Sequence, residues 1–159
     1  MNDPEKQEGF SPAKVYATAA GHLFHDLHTA FLAPLLPEII SKLSLSLTSV
    51  GALTTLVRLP ALINPFLGYI ADTTGSRYFV ILAPGLSATF MSLIGLSPTP
   101  WALGILLLLT GLSTALFHAP SPAIIGESSG EKVGFGMSLF MAGGGLGRAH
   151  ALLFAQEGA

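Results

Sequence analysis

The chain has 159 residues, of which half are hydrophobic and a tenth are charged, and its mean hydropathy is +0.63. Soluble domains carry roughly a quarter charged residues, so this composition excludes an ordinary soluble domain and indicates a membrane protein. The net charge of −2 and the dispersed Lys and Arg residues give no support for nucleic-acid binding, and the absence of cysteine excludes disulfides and thiolate metal sites.

The chain begins with a polar segment and continues with five apolar stretches. Residues 1–14 lack the basic start, short apolar core and cleavage site of a secretory signal, so we interpret them as a tail. Each stretch is long enough, at about 1.5 Å per residue, to cross a hydrocarbon core of about 30 Å. Backbone that faces lipid must satisfy its own hydrogen bonds, so each should be a helix. The predicted helices of this domain, residues 15–159, cover 15–40, 48–71, 78–96, 101–125 and 135–155.

The distribution of basic residues between the predicted loops indicates the orientation. A cytoplasmic tail would place Lys6, Lys14, Arg77 and Lys132 on the cytoplasmic side and only Lys42 on the other side. The positive-inside rule therefore predicts a cytoplasmic N-terminus for a multi-pass protein of the cell inner (plasma) membrane.

The first predicted helix carries ionisable residues at membrane depth. His22, His25 and Asp26 fall within one 100° arc of this helix. His28 lies at the margin of that arc, and we interpret it as a packing residue. Charged groups in a bilayer are costly unless they face a protein interior or a wet cavity. These side chains are therefore expected to face a shared cavity.

Counting residues from the helix midpoints places Asp26 and Arg58 at similar depth, within roughly 3 Å, so we predict that they pair. His118 and Arg148 lie within the fourth and fifth helices. One interpretation is a proton-coupling site at Asp26, His22 and His25, with an anionic substrate held by the other three residues. The alternative is a static buried ion pair that only fixes helix packing.

A metal site was a further possibility for the histidines. His22 and Asp26 have the i, i+4 spacing that can hold an ion, and His118 could complete the ligand set. A full motif with its own general base, such as HExxH, is not present. We therefore expect no metal and no cofactor, and keep a membrane metalloenzyme and an inactive fragment as alternatives to a transporter.

Three features predict how the helices are shaped and packed. Pro60 and Pro65 should kink the second helix. Gly143 and Gly147, four residues apart, should let the fifth helix approach a neighbour closely. The third helix has no ionisable residue from position 79 to 96, so we expect it to be the outer helix.

The polar connection between the second and third helices has a distinctive spacing: Gly68, Asp72, Gly75 and Arg77. Gly75 would supply the positive φ that a tight reversal needs, making the flanking helices antiparallel neighbours. The spacing resembles the loop signature of the major facilitator superfamily, although Thr73 and Ser76 stand where basic residues are usual. The segments GHLFHDLHTAFLAPLLPEI, FHAPSPAIIGE and GMSLFMAGGGLGRA resemble the fosmidomycin-resistance branch of that superfamily.

The resemblance implies an all-α fold, a polytopic membrane helix bundle that corresponds to a partial N-terminal half of the major facilitator fold. The superfamily is a standard example of transporters built from two six-helix halves. It implies a proton-driven antiporter for the efflux of a small drug-like compound, with the loop residues Gly68, Asp72, Gly75 and Arg77 acting in the gate. Expected partners are the substrate, protons and the lipid bilayer. Because five helices are fewer than the family needs, we expect a truncated chain that requires a C-terminal half or further copies.

Overall fold

The computed structural model describes residues 9–75 and 77–157, without the side chain of Asp72. Within these residues the chain forms eight α-helices and three short 3-10 helices, in agreement with the predicted all-α class. The 3-10 helices are Leu59–Ile63, Ile94–Leu96 and Gly130–Lys132. The α-helices, numbered α1 to α8, are Pro12–Ala30, Leu32–Leu43, Leu47–Leu56, Asn64–Thr74, Arg77–Leu93, Pro100–His118, Ser121–Ser129 and Val133–Glu157.

Prolines account for the breaks inside the predicted membrane helices. The stretch 15–40 is divided between α1 and α2, and Pro34 cannot donate a hydrogen bond to the carbonyl of Ala30, where α1 ends. The second stretch is interrupted by the 3-10 helix that contains Pro60, which confirms the predicted kink. Pro120 lies in the turn between α6 and α7. These α-helices are therefore shorter than the apolar stretches that contain them.

In the described part of the chain, three helical stretches are long and apolar enough to cross a membrane: Leu47–Ala71, Arg77–Leu96 and Pro100–Glu157. The last has 58 residues and contains α6, α7 and α8. At about 1.5 Å per residue it is far longer than a hydrocarbon core of about 30 Å, so it holds more than one crossing. The predicted span 15–40 is not among the three, because its histidines and Asp26 reduce its hydropathy. Five crossings stay a prediction.

Helix α1 packs against α8 and α5, and α6 packs against α5 and the segment from α3 to α4. Two clusters of buried apolar side chains hold this arrangement together. The first surrounds Phe117, at the end of α6, and includes Val15 and Phe140. The second joins α2, α5 and α6 through Ile39, Met91, Leu103 and Leu107.

The predicted packing of the third helix needs a correction. Helix α4 packs on α6 and on the adjoining 3-10 helix more than on α5. Gly111 of α6 admits the carbonyl of Val57, at the break before the 3-10 helix, and this close approach holds the second-helix segment against α6. Helix α5 does expose one apolar face, as expected for an outer helix. Its other face packs on α1 and α6, and Met91 reaches the cavity described below. Helix α5 is therefore an outer helix on one face and a packed helix on the other.

Candidate functional site

A cavity of about 510 Å³ opens between α1, α6, α8 and the segment around the second-helix break, and we call it the central cavity. Its apolar wall includes Met91, Gly111 and Ala115. Its polar wall carries four ionisable side chains together with hydroxyl and amide groups. These polar residues are Asp26, Arg58, His118, Arg148, Thr29, Asn64, Thr110 and Thr114.

Asp26 is the centre of the charged groups in this cavity and is only 3% exposed. Its Oδ2 accepts a hydrogen bond from Nη1 of Arg148 on α8 and lies 3.3 Å from Nε2 of His22. Its Oδ1 lies 3.5 Å from Nε2 of His118 on α6. We call these four residues the Asp26 cluster. Three separate helices therefore bring basic groups to one buried carboxylate.

The ring of His22 is held in a single orientation. Its Nδ1 lies 2.8 Å from the carbonyl oxygen of Phe140, and because a carbonyl only accepts, Nδ1 must donate this hydrogen bond. The Phe140 ring stacks on the imidazole with centroids 4.1 Å apart. With Nδ1 bonded in this way, Nε2 faces Asp26.

His25 is completely buried, next to the Asp26 cluster but outside it. Its ring stacks on Phe117 at 4.8 Å and meets the edge of the His118 ring at 5.2 Å. Neither of its ring nitrogens has a hydrogen-bond partner among the described residues. His25 therefore touches the cluster through His118, and a role in proton coupling stays a prediction. His28 donates from Nδ1 to the carbonyl oxygen of Phe24, within its own helix.

Arg148 reaches Asp26 because α8 packs directly on the backbone of α1. A Cβ atom at Gly143 would overlap the carbonyl oxygen of Ala19, and one at Gly147 would overlap that of Leu23. The close helix approach predicted from this glycine spacing is thus confirmed. The bare glycine face places the next residue, Arg148, beside the carboxylate.

The predicted pairing of Asp26 with Arg58 was wrong. Arg58 lies in the break between α3 and the 3-10 helix, is exposed, and forms no ion pair with any residue that the structure describes. The depth count assumed a straight second helix, and the break near Pro60 removes that condition. Arg58 nevertheless lines the same cavity as Asp26 and Arg148.

Three residues of the predicted gating loop, Gly68, Gly75 and Arg77, are not among the described residues that line the central cavity. Gly68 is within α4, and Gly75 has φ +101°, so the expected positive φ is confirmed. Arg77 begins α5 and donates through Nη2 to the hydroxyl of Tyr78 at 3.1 Å. The side chain of Asp72 and all of Ser76 lie outside the described residues. A gating role for this loop stays a prediction.

Several cavity residues were not predicted from the sequence. Thr110 and Thr114 were missed, although they precede the predicted His118 on α6 at intervals of four residues, and this polar stripe in an apolar helix was an available signal. Asn64, next to Pro65, also lines the cavity and was not predicted. No feature of the sequence indicated that the carbonyl of Phe140 orients His22. Any residue type could supply this carbonyl, because it belongs to the backbone.

One ring nitrogen each of His22 and His118 and one carboxylate oxygen of Asp26 lie within 4.8 Å of one another, so these three residues could hold a metal ion. The residues lining the cavity can also interact with a negatively charged molecule, through Arg58, Arg148 and His118. Both possibilities use groups that converge only in the folded chain.

The chain spans about a third of the length of the curated relatives that it matches. It is 28% identical over 135 residues to an uncharacterized MFS-type transporter, YfnC, of Bacillus subtilis (strain 168), covering 83% of this chain and 32% of that protein. It is 24% identical over 140 residues to the fosmidomycin resistance protein of Escherichia coli (strain K12), covering 87% of this chain and 34% of that protein. No solved structure matches the chain.

The sequence profile of the Major Facilitator Superfamily matches residues 18–156, a range that includes every described residue lining the central cavity. The match agrees with the helical fold, the apolar spans and the buried charges described above. The chain is a multi-pass membrane protein and belongs to the major facilitator superfamily.

Proposed function

We propose that the chain forms part of a secondary active transporter that exports a small anionic compound in exchange for protons. The observation that carries this proposal is the charge of the central cavity. Arg58 and Arg148 contribute two permanent positive charges, whereas Asp26 is the one acidic side chain among the described lining residues. A cavity with this excess of positive charge attracts anions.

The arrangement around Asp26 suggests how substrate and proton exchange. Arg148 is bound to Asp26, but its side chain is 55% exposed to the cavity and can also reach a ligand there. An anion that takes Arg148 removes a positive charge from a buried carboxylate, and burial then favours the protonated acid. Release of the anion returns Arg148 to Asp26 and favours release of the proton. His22 and His25 are the further candidates for proton coupling.

Membership of the superfamily and the transporter name of the Bacillus subtilis relative support a transporter rather than an enzyme. The name of the fosmidomycin resistance protein supports the efflux direction and a drug-like substrate. We further propose that the chain lies in the inner (plasma) membrane with a cytoplasmic N-terminus, and that Gly68, Asp72, Gly75 and Arg77 act in gating. A complete transport cycle would need a C-terminal half or further copies to close the cavity.

Binding to the chain itself tests the anion site. The purified chain in lipid nanodiscs is titrated with fosmidomycin and with a panel of small phosphonates, carboxylates and matched neutral amides. We expect saturable binding of at least one anion and no binding of its neutral counterpart. Arg148→Gln and Arg58→Gln should each weaken that binding by about tenfold, the value of one lost charge-assisted hydrogen bond. Equal binding of charged and neutral compounds would contradict an anion site.

Transport tests the coupling. Asp26→Asn at the equivalent position of a full-length relative should abolish proton-driven export from vesicles while leaving downhill exchange of the substrate. Unaltered proton-driven export would remove Asp26 from the mechanism.

A further inference from the structure

We propose that His22, Asp26 and His118 bind a divalent transition-metal ion such as Zn²⁺, in competition with Arg148. The sequence contains only two of these ligands at a recognisable spacing, and the third comes from α6. The binding claim depends on the geometry of the three side chains and not on the proposed transport activity.

The separations between the ligand atoms suit a small metal ion. Nε2 of His22 lies 3.3 Å from Oδ2 of Asp26, and Nε2 of His118 lies 3.5 Å from Oδ1. Tetrahedral ligands at about 2.0–2.2 Å from Zn²⁺ are themselves roughly 3.3–3.5 Å apart. The two distances end at different oxygens, so each carboxylate oxygen already has a suitable separation from one histidine nitrogen. One ligand atom from each of the three residues lies within 4.8 Å of the other two, and rotation of the partly exposed His118 ring can shorten the remaining separations.

The state of His22 is the second, independent observation. The residue is 3% exposed, and its Nε2 is buried without a hydrogen-bond partner. Because Nδ1 donates to the carbonyl of Phe140, Nε2 is the ring nitrogen that faces the carboxylate of Asp26, and it is placed to act as a metal ligand. Donation of the other ring nitrogen to a backbone carbonyl is also the usual way in which a metal-ligating histidine is oriented.

Arg148 is the group that opposes metal binding, because its guanidinium contacts Oδ2 of Asp26. The other ionisable groups nearby are His25, which stacks against Phe117, and Arg58, which faces the cavity. The half-exposed side chain of Arg148 has room to leave the carboxylate for the cavity. The metal and Arg148 are therefore alternative partners of Asp26, and two imidazoles with one carboxylate favour Zn²⁺, Co²⁺ or Ni²⁺ over Mg²⁺ or Ca²⁺.

The test measures metal binding to the purified, tag-free chain in nanodiscs at neutral pH. Zn²⁺ is titrated by calorimetry, and Co²⁺ is titrated by its visible absorption, whose intensity reports coordination geometry. We expect one equivalent of either ion and no binding of Mg²⁺. His22→Gln, His118→Gln and Asp26→Asn should each weaken Zn²⁺ binding at least tenfold. His150→Gln is the matched control, because His150 is exposed and donates a hydrogen bond from Nδ1 to the Leu146 carbonyl of its own helix.

Arg148→Gln should change the Zn²⁺ affinity in the opposite direction to the ligand variants. This difference distinguishes the loss of a ligand from misfolding. Removing the competing cation should tighten Zn²⁺ binding several-fold, and a damaged fold cannot produce that gain. The proposal is overturned if the three ligand variants bind Zn²⁺ as the His150→Gln protein does, or if Arg148→Gln weakens binding. Metal binding without any anion binding would contradict the proposed function while leaving this site intact.

Discussion

The carboxylate of Asp26 on α1 accepts a hydrogen bond from the guanidinium of Arg148 on α8, across 122 positions of the sequence. This contact joins the two helices with the most extensive mutual packing in the described part of the chain. It also connects a buried acid to a cavity that carries a second arginine, Arg58. Helix packing and ligand chemistry therefore depend on the same pair.

The Asp26–Arg148 pair should contribute measurably to stability. Arg148→Gln leaves Asp26 buried with only histidines beside it, and we expect the free energy of unfolding to fall by about 1–2 kcal/mol. Loss of a partner from a fully buried pair costs about 3–5 kcal/mol, and the exposure of Arg148 reduces that value. Unfolding in mixed detergent micelles measures the change. Arg58→Gln, at a site with no ion pair in the described residues, is the control, and an equal loss there would contradict this prediction.

The α1–α8 contact should not tolerate a methyl group at Gly147. A Cβ there would overlap the carbonyl of Leu23 and lie 2.9 Å from the amide nitrogen of Leu27. Because both atoms belong to backbone, α8 must shift, and we expect Gly147→Ala to cost about 1–3 kcal/mol. The same measurement on Gly145→Ala is the control, since nothing lies within 4 Å of a Cβ at that position. Similar stabilities of the two variants would show that the helices are not in close contact.

The turn between α4 and α5 should require glycine at position 75. Its φ of +101° is unfavourable for residues with a Cβ, so Gly75→Ala should destabilise the chain by about 1 kcal/mol. Gly68→Ala lies inside α4 with open space around the new methyl group and should be neutral or slightly stabilising. Thermal unfolding of the two variants side by side measures the difference. A destabilised Gly68→Ala beside an unchanged Gly75→Ala would contradict the turn geometry.

The two faces of the bundle should differ in access to water. The sequence contains no cysteine, so single cysteines can be introduced without background. Thr114→Cys, in the cavity wall, should react with a charged thiol reagent from the aqueous side. Ile81 is 70% exposed and faces outward from α5. In a bilayer this position would face lipid, so Ile81→Cys should react with the charged reagent far more slowly than Thr114→Cys. Mass spectrometry of labelled protein in membranes measures both rates. Faster labelling at position 81 would mean that the assumed membrane orientation is incorrect.

The helical class and the apolar spans were predictable because hydropathy is a local property of the chain. The same holds for the break near Pro60, the positive φ of Gly75 and the bare face of Gly143 and Gly147, since each depends on one or two residue types. The placement of His22, His25 and Asp26 towards one interior likewise follows from helical periodicity. In each case the determining interaction lies within a few residues of the chain.

The choice between Arg58 and Arg148 as the partner of Asp26 was not predictable in this way. Both arginines lie in apolar stretches that were predicted to be helices. A count of depth along straight helices favours Arg58 as the partner of Asp26. The break before the 3-10 helix and the contact of Gly143 and Gly147 with the backbone of α1 reverse that preference. Equally, Met91 reaches the cavity only because α5 packs between α1 and α6.

Residue type and spacing alone thus determined that this chain is a set of membrane helices with buried ionisable groups, because burial cost and helix periodicity act locally. Only the tertiary structure decided which groups meet around Asp26 and which residues line the cavity. Those outcomes depend on the distance and rotation between helices, and atoms far apart in the sequence, such as the Phe140 carbonyl and His22, determine them jointly.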